Sequence, residues 1–358
     1  MKYKVSVIVP TYNERDNIPE LVKRLDKALK KYNYNVIVVD DDSPDKTWKV
    51  ASDLSKKYPV KVVRRTEEKG LSTAVIRGIQ ESKNDILVVI DADLQHPPEK
   101  VPELIKQIEK GADIAIGSRF VEGGGVGDWS KSRLFVSKGA KFLAETLFRN
   151  IRNIKDVESG FFAFKKKILD NVELKPVGYK ILLEILVLAN YDTVKEVGFE
   201  FQIRKHGKSK LGFKNITNYL HHLLSLAWRT KEIHRFVKFC IIGGIGTVVN
   251  IVLLYLLTEY YYVHYLISGA IGIEAGLLTN FIFNKVWTFK DMEVKGLKAI
   301  IWALVKDHIV RSGGIILNLV ILWLLTSVFG FYYLISQVIG ILIAMIWNFG
   351  GNKWFTWE

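Results

Sequence analysis

The chain has 358 residues, 49% of them hydrophobic, with a net charge of +14 and one cysteine, Cys240. A lone cysteine excludes an intramolecular disulfide. The positive charge could meet nucleic acid, an anionic membrane surface or an anionic substrate. Because residues 236–358 are dominated by apolar runs, a membrane and an anionic substrate are expected and nucleic acid is not.

The mean hydropathy of +0.13 averages two unlike parts, a soluble α/β stretch over residues 1–212 and the apolar stretch from 236. The opening MKYKVSVIVPTYNE has an apolar core too short for a signal peptide, so the soluble part is expected to stay in the cytoplasm. Val5 to Pro10 reads as a strand. Asp16 or Asn17 then caps a helix whose apolar residues Ile18, Leu21, Val22, Leu25 and Leu29 recur at helical spacing. Val36 to Val39 is a second strand, running into Asp40, Asp41 and Asp42. A helix from about Asp45, a strand at Val60 to Val63, a helix over Leu71 to Ser82 and a strand from Ile86 continue the alternation. Strands and helices alternating with short loops predict a parallel sheet with right-handed crossovers. Another helix follows Pro98, and Asp113 to Gly117 reads as a strand. The glycine-rich VEGGGVGD at 121–128 reads as a mobile loop.

The strand from Ile86 has no alternation, as expected of a strand covered on both faces, and it ends in Asp91-Ala92-Asp93 followed by Gln95. The carboxyl ends of strands are where open α/β sheets bind ligands. Two carboxylates and an amide oxygen suit Mg²⁺ or Mn²⁺ and leave positions for phosphates. No Gly-x-Gly-x-x-Gly and no Gly-Lys-Ser loop follows the first strand, which argues against a dinucleotide dehydrogenase or a nucleoside triphosphatase.

In chain order, VIVPTYNE (7–14), VVDDDSPDKT (38–47), KGLSTAVIRG (69–78), DADLQHPPE (91–99), GSRF (117–120) and GKSKLG (207–212) resemble the family 2 inverting glycosyltransferases of GT-A fold. They are most similar to the polyprenyl-phosphate (dolichyl-phosphate) mannose synthases. The resemblance implies a Rossmann-like, mostly parallel α/β catalytic domain. It further implies a nucleotide-sugar site at Pro10, Tyr12, Glu14, Val39, Asp41, Asp42, Asp91, Ala92, Asp93, Gln95, Arg119, Arg204 and Lys205. A divalent cation, Mg²⁺ or Mn²⁺, would sit on Asp91, Asp93 and Gln95, and the acceptor phosphate on Arg119, Arg133, Ser137 and Lys208. Asp93, Arg119 and Arg133 would be the catalytic set. The residues themselves agree in part, since carboxylates facing a diphosphate need a cation between them and arginine suits bidentate phosphate recognition. Tyr12 could equally be packing, Asp40 to Asp42 could be capping residues, with one of the three functional, and Lys208 could be surface charge meeting anionic lipid. His96 is expected to orient its loop rather than act as a base.

Four apolar runs, about 236–258, 262–284, 308–329 and 331–350, are each long enough at about 1.5 Å per residue to cross a hydrocarbon core of about 30 Å. Loops 259–264 and 328–332 carry no Lys or Arg, whereas the opposite flanks are lysine-rich, so both termini are expected in the cytoplasm. A shift of 68 residues superposes Asn250 on Asn318, Tyr265-Leu266-Ile267-Ser268 on Tyr333-Leu334-Ile335-Ser336, Asn280 on Asn348 and Asn284-Lys285 on Asn352-Lys353. The apolar half is therefore two parallel copies of a helical hairpin, and it resembles the GtrA-like membrane domains. Its asparagines are expected to make helix-to-helix bonds. Residues 213–235, and separately Leu297 to Val305, read as helices lying on the membrane face.

The expected activity is inverting transfer of mannose from GDP-mannose to dolichyl (polyprenyl) phosphate by a multi-pass membrane enzyme with a cytoplasmic catalytic domain. Two alternatives stay open: a UDP-glucose donor, or a lipid-linked sugar flippase or scaffold with a regulatory soluble domain.

Overall fold

The computed structural model describes residues 4–127, 129–202, 213–292 and 294–357, with backbone alone for 131–133, 135 and 213–215. Arg204, Lys205 and Lys208 lie outside the described residues. The chain divides into two compact units, Met1–Leu226 and Ala227–Glu358.

Among its described residues, the first unit is built on seven strands: β1 (Lys4–Thr11), β2 (Asn33–Asp40), β3 (Val60–Arg64), β4 (Ile86–Val89), β5 (Ile114–Ser118), β6 (Phe162–Lys165) and β7 (Val194–Gly198). Their order across the sheet is β3-β2-β1-β4-β6-β5-β7. Val7 pairs in parallel with Val36 on one side and Val88 on the other. β1 and β4 are buried nearly throughout, because helices cover both faces of a parallel sheet. One departure from an all-parallel sheet bears on the site: β6 runs antiparallel to both β4 and β5.

The helices α1 (Ile18–Leu29), α2 (Thr47–Leu54), α3 (Leu71–Glu81), α4 (Val101–Glu109), α5 (Lys131–Leu147), α6 (Ile181–Leu188) and α7 (Phe213–Arg229) complete this part of the chain. The five apolar residues of α1 are all buried. Asn17 precedes that helix without a side-chain cap and instead donates to Glu14. Before α2, whose N-cap Lys46 has a left-handed backbone, Asp45 accepts the N–H of Thr47 at 3.0 Å. α3 lies close against β1, where a Cβ on Gly78 would meet Ile8 at 2.4 Å.

The segment read as a mobile glycine-rich loop is tied down as far as Gly127. Gly125 donates to Phe199 and accepts from Phe201. A Cβ on Gly198 would strike the carbonyl of Glu122 at 2.2 Å. The glycines there permit close backbone approach.

The second unit contains α8 (Glu232–Glu259), α9 (Tyr265–Phe283), α10 (Leu297–Trp323) and α11 (Tyr333–Gly351). Turns of π-helix extend three of them, at Asn284–Thr288, Leu324–Val328 and Asn352–Thr356. Among the described residues, four helical stretches are long and apolar enough to cross a membrane: Glu232–Glu259, Tyr265–Thr288, Leu297–Val328 and Tyr333–Thr356. Leu297 to Val305 is no separate surface helix, since α10 runs unbroken through it. No glycine or proline lies between Val305 and His308 to stop the helix.

The 68-residue repeat is structural as well as sequential. A Cβ on Gly246 would lie 2.3 Å from Oδ1 of Asn280, and one on Gly314 would lie 2.3 Å from Oδ1 of Asn348. Gly272 faces Asn250, and Gly340 faces Asn318, in the same way. These asparagines pack against glycine backbone. Oδ1 of Asn280, Asn318 and Asn348 accepts no hydrogen bond among the described residues, so the expected interhelical bonds are replaced by close contact.

Candidate active site

A cavity of about 1190 Å³ opens at the carboxyl ends of β1, β2 and β4. That is the ligand-binding edge of such sheets. β1 delivers Pro10, Thr11 and Tyr12, with Glu14 just beyond, β2 delivers Asp41, and β4 delivers Asp91, Ala92, Asp93 and Gln95. Two non-glycine residues here, Asn13 and Leu94, have left-handed backbones with φ of 59° and 61°. Such conformations concentrate where neighbouring side chains must be aimed.

The three consecutive aspartates separate cleanly. Asp40 is fully buried and turns inward, accepting from Thr11 at 2.8 Å and from the backbone and hydroxyl of Ser43. Asp41 lines the cavity, accepts the N–H of Gly70 at 2.7 Å and is clamped by Arg65. Asp42 has φ of 53° and pairs with Arg64, away from the cavity wall. Val39 packs its side chain with Ile37, Ala74 and Val63 rather than in the cavity. The side chains of Val39 and Asp42 are thus the two predicted donor-site residues, among those described, that do not line the cavity.

Asp93 accepts the N–H of Gln95 at 3.1 Å. Nε2 of Gln95 donates to the carbonyl of Gln202 at 3.1 Å, which leaves its carbonyl oxygen as a ligand atom. Opposite Asp91 stands Gly160: a Cβ there would lie 2.7 Å from Oδ2 of Asp91. No group of three His, Cys, Asp or Glu side chains fit to hold a metal occurs among the described residues. A set of two carboxylates and one amide oxygen nevertheless matches the oxygen-rich, incomplete coordination shell that Mg²⁺ and Mn²⁺ take beside phosphates. The donor chemistry fits a divalent cation.

Arg119 lines the cavity just after β5, and its guanidinium is held by Asp156 in a two-pronged pair at 2.7 and 2.6 Å. The same guanidinium lies 4.8 Å from the Trp129 ring centre. Ser137, on α5, also lines the cavity. Arg133 falls on the same helix, and its side chain is outside the described set. Gln202, two residues before Arg204, exchanges backbone and side-chain bonds with Gln95.

His96 is packed among Phe161, Phe199 and Phe201 at ring distances of 5.4 to 5.6 Å. Burial pushes its imidazole down to about 4, and the ring borders the cavity with Nδ1 3.6 Å from Oδ2 of Asp91. Sequence reading missed Asp156, Glu158, Gly160 and Lys180. The first three precede β6, and its antiparallel course brings Glu158 and Gly160 to the cavity and Asp156 behind Arg119. Lys180 pairs with Glu158 at 3.0 Å on the cavity wall. An apolar stretch of the wall is formed by Val136 and Leu143 of α5 with Ile216, Tyr219 and Leu220 of α7. Among these, Val136, Leu143, Ile216 and Leu220 are exposed, as are Phe142, Leu224 and Trp228 on the same helices.

The profile described as glycosyl transferase family 2 matches residues 6–173, and that described as GtrA/DPMS, transmembrane domain, matches residues 238–357. The chain is 48% identical over 354 residues to a dolichol-phosphate mannosyltransferase of Pyrococcus furiosus, covering 99% of each chain. It is 37% identical over 239 residues to the Saccharomyces cerevisiae protein of the same name, covering 63% of this chain and 88% of that one. Among solved structures, glucosyl-3-phosphoglycerate synthase from Mycobacterium tuberculosis, crystallised with Mn²⁺ and UDP-glucose, aligns at a TM-score of 0.47 and 18% identity. That alignment covers 63% of this chain and 79% of the other. On the near-complete match to the first of these relatives, the chain belongs to the dolichol-phosphate mannosyltransferase family, a family 2 glycosyltransferase domain joined to a GtrA-type transmembrane domain.

Proposed function

We propose that this protein transfers mannose from GDP-mannose to the phosphate of a dolichyl or related polyprenyl phosphate, inverting the anomeric carbon. The observation that carries this reading is the two-sided cavity: carboxylates and Gln95 at one end, an exposed apolar wall from α5 and α7 at the other. Such a cavity suits a polar nucleotide sugar meeting an amphiphile whose chain needs apolar cover. The family membership supplies the sugar and the lipid class.

In this reading Pro10, Tyr12, Glu14 and Asp41 hold the nucleoside, and Asp91, Asp93 and Gln95 hold a divalent cation together with the diphosphate. When bound, that cation neutralises charge on the diphosphate as it becomes the leaving group. Arg119, Arg133, Ser137 and the basic group at Arg204, Lys205 and Lys208 receive the acceptor phosphate. An acceptor oxygen bonds to the anomeric carbon as the bond from that carbon to the diphosphate oxygen breaks, releasing GDP. A phosphate monoester is already ionised near neutral pH, with a second pKa of about 6, so no base has to remove a proton from it.

The lysine-free loops 259–264 and 328–332 support a topology with the catalytic unit and both termini on the cytoplasmic face. Turnover measured with GDP-mannose and with UDP-glucose on one polyprenyl-phosphate acceptor tests the donor assignment. Faster transfer from UDP-glucose would overturn it.

A further inference from the structure

Glu184 on α6 and His222 on α7 are both fully buried, and Nε2 of His222 lies 3.1 Å from Oε2 of Glu184. The other carboxylate oxygen accepts the N–H of Lys175 at 2.6 Å. Neither side chain lines the cavity, and the transfer chemistry above uses neither. The Glu184 carboxylate is thus met on both oxygens, as a carboxylate sealed from water must be, while Nδ1 of His222 has no hydrogen-bond partner among the described residues, so its bond to Glu184 is the imidazole's one polar anchor there. Their pairing therefore fixes the separation of the two helices more rigidly than apolar packing alone, which can slide.

What they fix is visible on α7. His222 follows the cavity-lining Tyr219 by three residues, and residues three apart share one side of a helix, so His222 lies behind a wall residue; Glu184 belongs to the first turn of α6, which starts directly after the cavity-lining Lys180. Tyr219 in turn donates its hydroxyl to the carbonyl of Ala140 on α5 at 2.8 Å. One buried pair thus ties the α7 wall, with Ile216 and Leu220, to the helix that begins at the polar side of the cavity. The nucleotide end is built from the strand ends instead, and none of its residues lies on α6 or α7.

We propose that Glu184 and His222 are positioning residues that hold the α7 wall at the spacing an acceptor lipid phosphate needs, setting acceptor affinity without altering nucleotide binding. The proposal rests on the transfer reading given above. A pair that merely stabilised the fold would, when broken, lower the amount of active enzyme and leave the acceptor KM unchanged. A positioning pair moves the acceptor KM.

The test uses the full-length protein in lipid vesicles, with polyprenyl phosphate as acceptor and GDP as the nucleotide probe. The parent is measured first, so that absence of mannose transfer by the parent overturns the function itself and, with it, this role. His222→Leu, which keeps bulk but removes the donor, is expected to raise the acceptor KM about tenfold or more, the size of effect that misplacement of a binding wall produces. GDP affinity should stay within about twofold. His222→Gln, whose amide can still donate to Glu184, should recover most of the acceptor KM. If His222→Leu fails to fold, Glu184→Gln serves, since it keeps the shape and weakens the pair, and its acceptor KM should also rise. An acceptor KM equal to the parent's in a folded variant, or an equal loss of GDP and acceptor affinity, overturns the proposal.

Discussion

Gly160 faces Asp91 so closely that a Cβ on the glycine would sit 2.7 Å from Oδ2 of the aspartate and 3.3 Å from Cε1 of His96. His96 cannot retreat easily, because it is wedged among three phenylalanines, so the partly exposed Asp91 carboxylate has to give. Gly160→Ala should therefore push the Asp91 carboxylate out of place. A misplacement on the order of 1 Å in a reacting constellation costs up to about a hundredfold in rate. We expect turnover to fall by about tenfold or more and the metal concentration needed for half-maximal rate to rise, with an unchanged circular dichroism spectrum. A variant with the parent's metal dependence would show that Asp91 does not bear on the cation.

Asp93→Ala tests the same site without crowding it. Loss of one ligand from an oxygen shell should lower metal affinity or rate by well over tenfold. Isothermal titration of Mn²⁺ in the presence of GDP reads this directly, alongside turnover in chelator. Full turnover in excess chelator would contradict the role given to Asp91, Asp93 and Gln95.

Arg119 and Asp156 are a largely buried pair at the cavity wall, with side chains 9% and 1% exposed. Removing one partner from a buried pair leaves the other uncompensated and costs about 3–5 kcal/mol. Arg119→Ala should thus lower thermal stability as well as turnover, and Asp156→Asn should do the same through Arg119. Together the two substitutions should be less damaging than the sum of each. Additivity within about 0.5 kcal/mol in a double-mutant cycle would show that the pair is not coupled.

The parts of this site that are legible in the sequence share one property: each follows a parallel strand, where an apolar run ending in polar residues marks the ligand edge. Asp91, Asp93, Gln95 and Arg119 are all of that kind. Asp156, Glu158 and Gly160 come before β6 instead, and only the antiparallel course of that strand carries them to the same edge. No local pattern announces a strand's direction. The choice among Asp40, Asp41 and Asp42 was equally hidden, because it depends on a single left-handed residue, Asp42, that turns its own side chain towards Arg64. In the membrane half the repeat announced itself through paired polar residues. The contacts those residues make were legible only in part, since the glycines opposite the asparagines lie on the facing helix.

Asp113, at the start of β5, gives a pH prediction for the first unit. Burial pushes its carboxyl up, but Lys165 and the N–H groups of Asp192 and Thr193 outweigh burial and hold it at about 2. An unfolded aspartate titrates near about 3.9, so the folded pKa is depressed. The stabilisation is fully present above about pH 4 and is lost as pH falls through about 2. Asp113→Asn should cost about 1 kcal/mol at pH 7, as expected of a partly exposed ion pair, and progressively less towards pH 2. Melting curves of parent and variant at pH 7 and pH 3 check this, and a gap that fails to narrow at the lower pH would refute it.

The repeat yields a prediction that one half of the membrane unit can check against the other. Gly246 and Gly314 each meet an asparagine amide of the facing helix where a Cβ would come within 2.3 Å. Adding a methyl group to such a contact is overpacking, which typically costs about 1–3 kcal/mol. Gly246→Ala and Gly314→Ala should accordingly each lower the melting temperature of the protein in detergent. The clash in both cases is with a side chain rather than backbone, so shortening that side chain should relieve it. Gly246→Ala combined with Asn280→Ala should be more stable than Gly246→Ala alone, and Gly314→Ala combined with Asn348→Ala should repeat the rescue. Rescue depends on the asparagine making no interhelical hydrogen bond worth keeping, consistent with Oδ1 atoms that have no partner among the described residues. If the double variants prove no better than the glycine substitutions alone, the amides do more than fill space. If one hairpin is rescued and the other is not, the two copies have diverged in what their asparagines do.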